Sequence, residues 1–206
     1  PIRRTLLFFI LIPVLFSCSG DINQKVIIVF EKPPTLKQEQ ELVLNLSSQT
    51  SKTNLSKLLS NQNWIKSYLI KKNAFQPLEV FIETKDPKYI WQDRFYLDAD
   101  LTKFLYFGEY PELLHLYIPI ELVDRWSQVE DQMQAVMEAY NLKIFSVSYS
   151  EAAGWTFYTA NKLQINLGSD LSFDVFQKLS LTLKYIFEKN LTPSIIDLRY
   201  KDGAAL

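Results

Sequence analysis

Cysteine and histidine each occur once in 206 residues, as Cys18 and His115, and glycine occurs only five times. A metal centre built from His and Cys, an intramolecular disulfide and a Cys-His nucleophilic couple are thereby excluded. An excess of either charge is missing too: 22 Lys and Arg stand against 23 Asp and Glu, a net charge of −1. That balance gives no general electrostatic hold on nucleic acid or other polyanions. There is no Gly-rich phosphate loop and no Gly-x-Ser-x-Gly elbow. What is present is apolar: 48% hydrophobic and 14% aromatic residues, enough to bury a real core in one large domain or two small ones.

The longest apolar run comes first. Arg3 and Arg4 precede Leu6 to Cys18, which is followed by Ser19 and Gly20. About 20 apolar residues are expected of a full membrane span and fewer of a signal-peptide core. Three outcomes fit the residues: an uncleaved anchor, a cleaved signal, and a lipoprotein signal Leu15-Phe16-Ser17-Cys18 lipidated on Cys18. All three send the remainder across the membrane, because the basic residues hold the N-terminus in the cytoplasm. The chain opens on Pro1 rather than Met, so further residues are expected upstream.

Past this segment the periodicity predicts a strand at Val26 to Phe30, a helix at Leu36 to Leu46 and a second helix carrying Leu55, Leu58 and Leu59. Strands at Trp64 to Lys71 and Leu78 to Glu83 complete a β-α-α-β-β module, closed by Lys85-Asp86-Pro87. Beyond it, Phe95 to Asp100 and Thr102 to Phe107 flank a turn at Asp98 to Leu101, and an irregular stretch punctuated by Pro111 and Pro119 follows. Val129, Met133, Val136, Met137 and Tyr140 mark an amphipathic helix. Phe145, Val147 and Tyr149 mark a half-buried strand, and Trp155 to Thr159 pairs with Leu163 to Leu167 as a hairpin around Ala160 to Lys162. A second helix, capped by Ser172, shows Phe173, Phe176, Leu179, Leu183 and Phe187 on one face. After Pro193 a last strand places Ile196, Leu198 and Tyr200 on one face, with Asp197, Arg199 and Lys201 on the other.

An enzyme needs an acid, base or nucleophile with a partner. Asp98 and Asp100 fit a solvated turn better than a catalytic pair, and His115 in Leu113-Leu114-His115-Leu116-Tyr117 fits a satisfied structural histidine. No catalytic, cofactor-binding or metal-binding residues are assigned. Asn45, Asn54 and Asn190 begin Asn-x-Ser/Thr triplets of the kind that arise by chance in a chain rich in Asn and Ser. The C-terminal strand is more suggestive: if it lies at a sheet edge, its free backbone groups would accept a partner strand, with small residues allowing close approach. The plain alternative is a closing strand with a frayed end.

The run Ile196-Asp197-Leu198-Arg199-Tyr200-Lys201-Asp202-Gly203-Ala204-Ala205 resembles the C-terminal signature of the FtsQ/DivIB family of bacterial cell-division proteins. Gly154-Trp155-Thr156-Phe157 and Leu163-Gln164-Ile165-Asn166-Leu167-Gly168 are similar to that family's paired strands before its last helix. Asn63-Trp64-Ile65-Lys66, Leu78 to Glu83, Asp86-Pro87, Trp91 and Asp98-Ala99-Asp100 follow its pattern in order and spacing.

The resemblance implies an α+β chain: a single transmembrane helix within residues 1–20, a POTRA domain over 21–87 and an FtsQ-type β domain over 88–206 with a C-terminal edge strand. It favours the uncleaved anchor, which places the chain in the inner membrane at the septum, with its C-terminal domains in the periplasm. It implies a non-enzymatic divisome scaffold that binds FtsB- and FtsL-type coiled-coil proteins, among other divisome membrane proteins. Arg199, Tyr200, Asp202, Gly203 and Ala204 are the partner-binding residues it carries over. The alternative is an exported lipoprotein or transport-assembly module with a POTRA-like domain. The chain departs from the family pattern at Lys32-Pro33-Pro34, at Phe75-Gln76-Pro77, at Leu101 where Gly is usual, at Tyr117 to Ile120, and at Ala152-Ala153.

Overall fold

Alternation of Leu78, Val80 and Ile82 with half-exposed neighbours makes one strand the buried centre of a small sheet. The computed structural model describes residues 26–32, 36–46, 52–72, 76–105, 110–201 and 203–206. The membrane segment expected over residues 1–20 lies outside them. Among the described residues no helix is long and apolar enough to cross a membrane. The chain divides into two compact units, with described residues up to Asp86 in the first and from Pro87 in the second.

The first unit runs β1 (Val26–Phe30), α1 (Leu36–Leu46), α2 (Lys52–Ser60), β2 (Ile65–Lys71) and β3 (Leu78–Thr84). This is the element order that the sequence predicts. The sheet order is β1-β3-β2, with β3 parallel to β1 and antiparallel to β2. Returning from β1 to a parallel neighbour requires a crossover, which the two helices and β2 supply. Leu42 of α1 and Leu55 and Leu59 of α2 are buried with Ile28, Phe30, Trp64 and the inward face of β3. Each such side chain contributes about 1.5–3 kcal/mol by leaving water. The Tyr68 hydroxyl ties β2 to α2 through Ser56 Oγ at 2.8 Å and the Ser56 carbonyl at 3.0 Å.

The second unit contains β4 (Tyr89–Trp91), β5 (Phe95–Leu97), β6 (Lys103–Leu105), β7 (Leu114–Tyr117), α3 (Val123–Glu138), β8 (Ile144–Ser150), β9 (Gly154–Thr159), β10 (Gln164–Gly168), α4 (Phe173–Glu188) and β11 (Ile195–Asp197). Its eight described strands lie in the order β11-β10-β9-β8-β7-β4-β5-β6. The parallel pairs β7/β8 and β10/β11 are joined through α3 and α4, as parallel neighbours must be. Both helices bury one stripe against the same sheet face: Val123, Trp126, Met133 and Met137 from α3, and Phe176, Leu179, Leu183 and Ile186 from α4.

Several sequence expectations are corrected here. The stretch between Pro111 and Pro119 is not wholly irregular: it holds β7, a central strand parallel to β4 on one side and β8 on the other. β4 also escapes the sequence pattern, because three residues are too few to show a period. On α4, Phe173 is 67% and Phe187 48% exposed. The buried seam is the i, i+3, i+7, i+10 series from Phe176 to Ile186, and Phe187 falls about 100° away from Ile186. Ser172 does precede α4, but its side chain makes no capping bond. The strands around the Asp98 turn are shorter than expected, ending at Leu97 and beginning at Lys103.

A buried carboxylate pins α3 to the sheet. Glu130 is only 6% exposed, accepts a hydrogen bond from the Tyr89 hydroxyl and lies 3.2 Å from Lys88 Nζ. Burial first, and then the bond to Glu130, push the Tyr89 phenol well above its ordinary pKa. Tyr89→Phe removes the buried hydroxyl donor and leaves Glu130 with Lys88 and the longer bond from Gln134 Nε2 at 3.3 Å. A loss of about 1–2 kcal/mol is expected in denaturant unfolding, with an unchanged slope. An unaltered midpoint would show that Lys88 and Gln134 suffice.

Candidate partner-binding edge

The sheet of the second unit ends at β11, but the outermost backbone is not β11 itself. β11 pairs with β10 through its inward groups, with Gln164 N–H donating to Ser194 O at 3.0 Å and Leu198 N–H to Asn166 O at 2.8 Å. Its outward groups meet the chain's own returning segment. Asp197 N–H donates to Ala205 O at 2.8 Å, and Ala205 N–H to Asp197 O at 3.0 Å. In an antiparallel pair joined by both bonds of one residue pair, the residues on either side direct their backbone groups outward. Here those residues are Ala204 and Leu206.

This geometry corrects the predicted last strand. The strand ends at Asp197 and the chain then turns, so Tyr200 does not share the face of Ile196 and Leu198. Those two are buried at 0% and 4%, whereas Tyr200 is 61% exposed. Gly203 and Ala204 stand on the exposed return, and Asp202 lies outside the described residues. Arg199 is exposed but occupied: its Nε lies 2.9 Å from Asp197 Oδ1 and its Nη2 2.5 Å from Asp197 Oδ2.

Asp197 is itself positioned from the helix-free face of the sheet. Asp197, Asn166, Thr156, Ser148 and Tyr117 are consecutive register partners across β11, β10, β9, β8 and β7. Asn166 Oδ1 accepts from Thr156 Oγ1 at 3.3 Å and Gln164 Nε2 at 2.9 Å, which turns its amide nitrogen toward Asp197. The Arg199 fork, helped by its backbone N–H and by Asn166, holds the Asp197 carboxyl down at about 2. A depressed carboxyl contributes stability in full above about pH 4, and this is lost as pH falls toward 2. The Asp197 carboxyl carbon is therefore expected to titrate in NMR with a midpoint near 2. In Arg199→Gln the midpoint returns toward about 4. A native midpoint already near 4 would rule out the fork.

Small residues bring the neighbouring turns close. A groove of about 560 Å³ at residues 198–201 is lined by Ala153, Gly154, Gly168, Lys178, Arg199 and Tyr200, among others. Gly154 and Gly168 both have left-handed backbones, at φ +73° and +90°. A Cβ on Gly154 would lie 2.1 Å from the carbonyl carbon of Gly168.

The residues considered for catalysis are engaged structurally. Asp98 Oδ1 accepts the N–H groups of Asp100 at 3.1 Å and Thr102 at 2.7 Å, closing the turn in which Leu101 takes φ +58°. The usual Gly of that position is thus replaced by a residue held in the conformation glycine favours. His115 Nδ1 lies 2.9 Å from Asp93 Oδ1, the Tyr117 hydroxyl donates to the same carboxylate, and the His115 ring stacks on Phe145 at 4.9 Å. Among the described residues no cluster of three His, Cys, Asp or Glu could hold a metal ion.

These features define a two-unit α+β protein whose C-terminal segment returns to pair through Ala205 with the outer side of β11. The chain is similar to "Cell division protein FtsQ" of Aliivibrio fischeri (strain ATCC 700601 / ES114), 23% identical over 155 residues that cover 69% of this chain. This match supports the relationship to FtsQ/DivIB proteins that the sequence resemblance implies. The chain spans 57% of the length of that curated relative. No protein-family model matches it.

Proposed function

We propose that this chain is a non-enzymatic scaffold of the bacterial division machinery that receives an FtsB- or FtsL-type coiled-coil partner on its terminal edge. The observation that carries this is the Asp197–Ala205 pairing, which turns the backbone of Ala204 outward. A strand of the partner adds to residues 203–206, so main-chain bonds supply affinity and side chains choose the partner. Tyr200, 61% exposed, offers a ring to it, and Arg199 exchanges Asp197 for a partner carboxylate. Similarity to a cell division protein FtsQ supports the setting: an inner-membrane protein at the septum, anchored by its N-terminal segment, with both units in the periplasm. The β-α-α-β-β unit is then the POTRA domain and contributes to recruitment. Two-hybrid or pull-down measurement of Gly203→Asp and Tyr200→Ala against the cognate FtsB-type protein tests the reading. Undiminished binding by both variants would sink the edge assignment.

A further inference from the structure

Where β10 stops, the ladder that orders β11 loses its donors. The carbonyls of Ser194, Ile196 and Leu198 face β10, and the N–H groups of alternate β10 residues answer them as far as the strand remains regular. The next donor in the series would be Gly168, but the pairing of β10 with β11 ends at Asn166↔Asp197, and β10 shifts its register against β9 between Asn166 and Gly168. The carbonyls of Leu198 and Tyr200 lie beyond the last residue of β11 that pairs with β10, close enough together to meet one donor.

A single side chain fills the gap. Lys178, on the flank of α4, places Nζ 2.9 Å from the Leu198 carbonyl oxygen and donates a second bond to the Tyr200 carbonyl. An ammonium has three donors and accepts nothing, so it can replace successive N–H groups of a strand for acceptors on one side. Lys178 is part-buried and lines the groove at residues 198–201. Residues 198–200 lead directly into the turn before residues 203–206.

We infer that Lys178 is a positioning residue for the terminal edge: its ammonium stands in for the ladder donors that β10 no longer offers past Asn166, holds residues 198–200 in place, and so sets the return where a partner strand meets it. This deepens the functional reading above and rests on it only for the identity of the partner. The clamp itself belongs to the free chain.

The test has two arms, on the full chain. In the first, amide hydrogen exchange is measured without a partner on the parent, Lys178→Met and Lys178→Arg. Exchange at Asp197 and Ala205 rises about tenfold or more in Lys178→Met, while β8 and β9 amides stay unchanged, and Lys178→Arg restores the protection. Unchanged exchange at Asp197 and Ala205 in Lys178→Met overturns the clamp. In the second, affinity is measured for the purified soluble region of the cognate FtsB-type protein. Lys178→Met binds about tenfold more weakly and Lys178→Arg recovers, because a mobile edge lowers the population competent to bind. Equal affinity of the parent and Lys178→Met, with exchange raised, overturns the positioning role. A parent that does not bind sinks the functional reading instead, and the exchange arm still decides the clamp.

Discussion

Gly203→Asp is expected to weaken binding of the FtsB-type partner by at least tenfold to a hundredfold while leaving the free protein folded. The two halves of that result have separate physical grounds. Gly203 has no atom within 4 Å of an added Cβ and its backbone lies outside the left-handed region, so the free chain accommodates a side chain there. Surface substitutions of this sort change stability by about 0.5 kcal/mol or less. In the proposed complex the same position lies beside the incoming strand. A carboxylate there obstructs close approach and faces the acidic group that Arg199 is meant to receive. Ten- to hundredfold corresponds to about 1.4–2.8 kcal/mol, roughly the loss of two ladder bonds. Titration calorimetry reads the affinity and circular dichroism the fold. Unchanged affinity for an intact Gly203→Asp protein would place the partner elsewhere.

Gly154→Ala is expected to have the largest effect on stability, about 3 kcal/mol or more. The added methyl would sit 2.1 Å from the carbonyl carbon of Gly168, 2.2 Å from its oxygen and 2.6 Å from the nitrogen of Ser169. All three are backbone atoms, so no side chain can rotate aside, and β9 must separate from β10. Overpacking alone costs about 1–3 kcal/mol, and the left-handed backbone at φ +73° adds to it. In a unit of this size a loss of that order lowers the melting temperature by roughly 10 °C. A melting temperature within about 2 °C of the parent would show that the two strands do not approach as described.

Much of the architecture was legible because it follows from local periods. The alternation in Leu78 to Glu83, the helical spacing in α3 and α4, and the turn at Asp98 to Leu101 are each decided by neighbours within a few residues. β4 and β7 were not legible. They are three and four residues long and find their parallel partners only across the fold, so no local period marks them. Phe173 and Phe187 misled for a related reason: a helical period defines a face, and only the facing sheet decides how much of that face is covered.

The terminal site divides the same way. By itself the sequence determined the ingredients: a run with small residues at Gly203, Ala204 and Ala205, a cation at Arg199, a ring at Tyr200, and charge too evenly balanced for a polyanion. Only the tertiary structure decided which backbone is open. Hydrogen-bond availability depends on what lies on either side of a strand, and β11 meets β10 on one side and its own return on the other. The free edge therefore passes from the strand that the signature begins on to residues 203–206, and Arg199 is held in advance by Asp197. Lys178, in the helix before the signature, became visible only when the fold brought its ammonium to two carbonyls that had lost their strand.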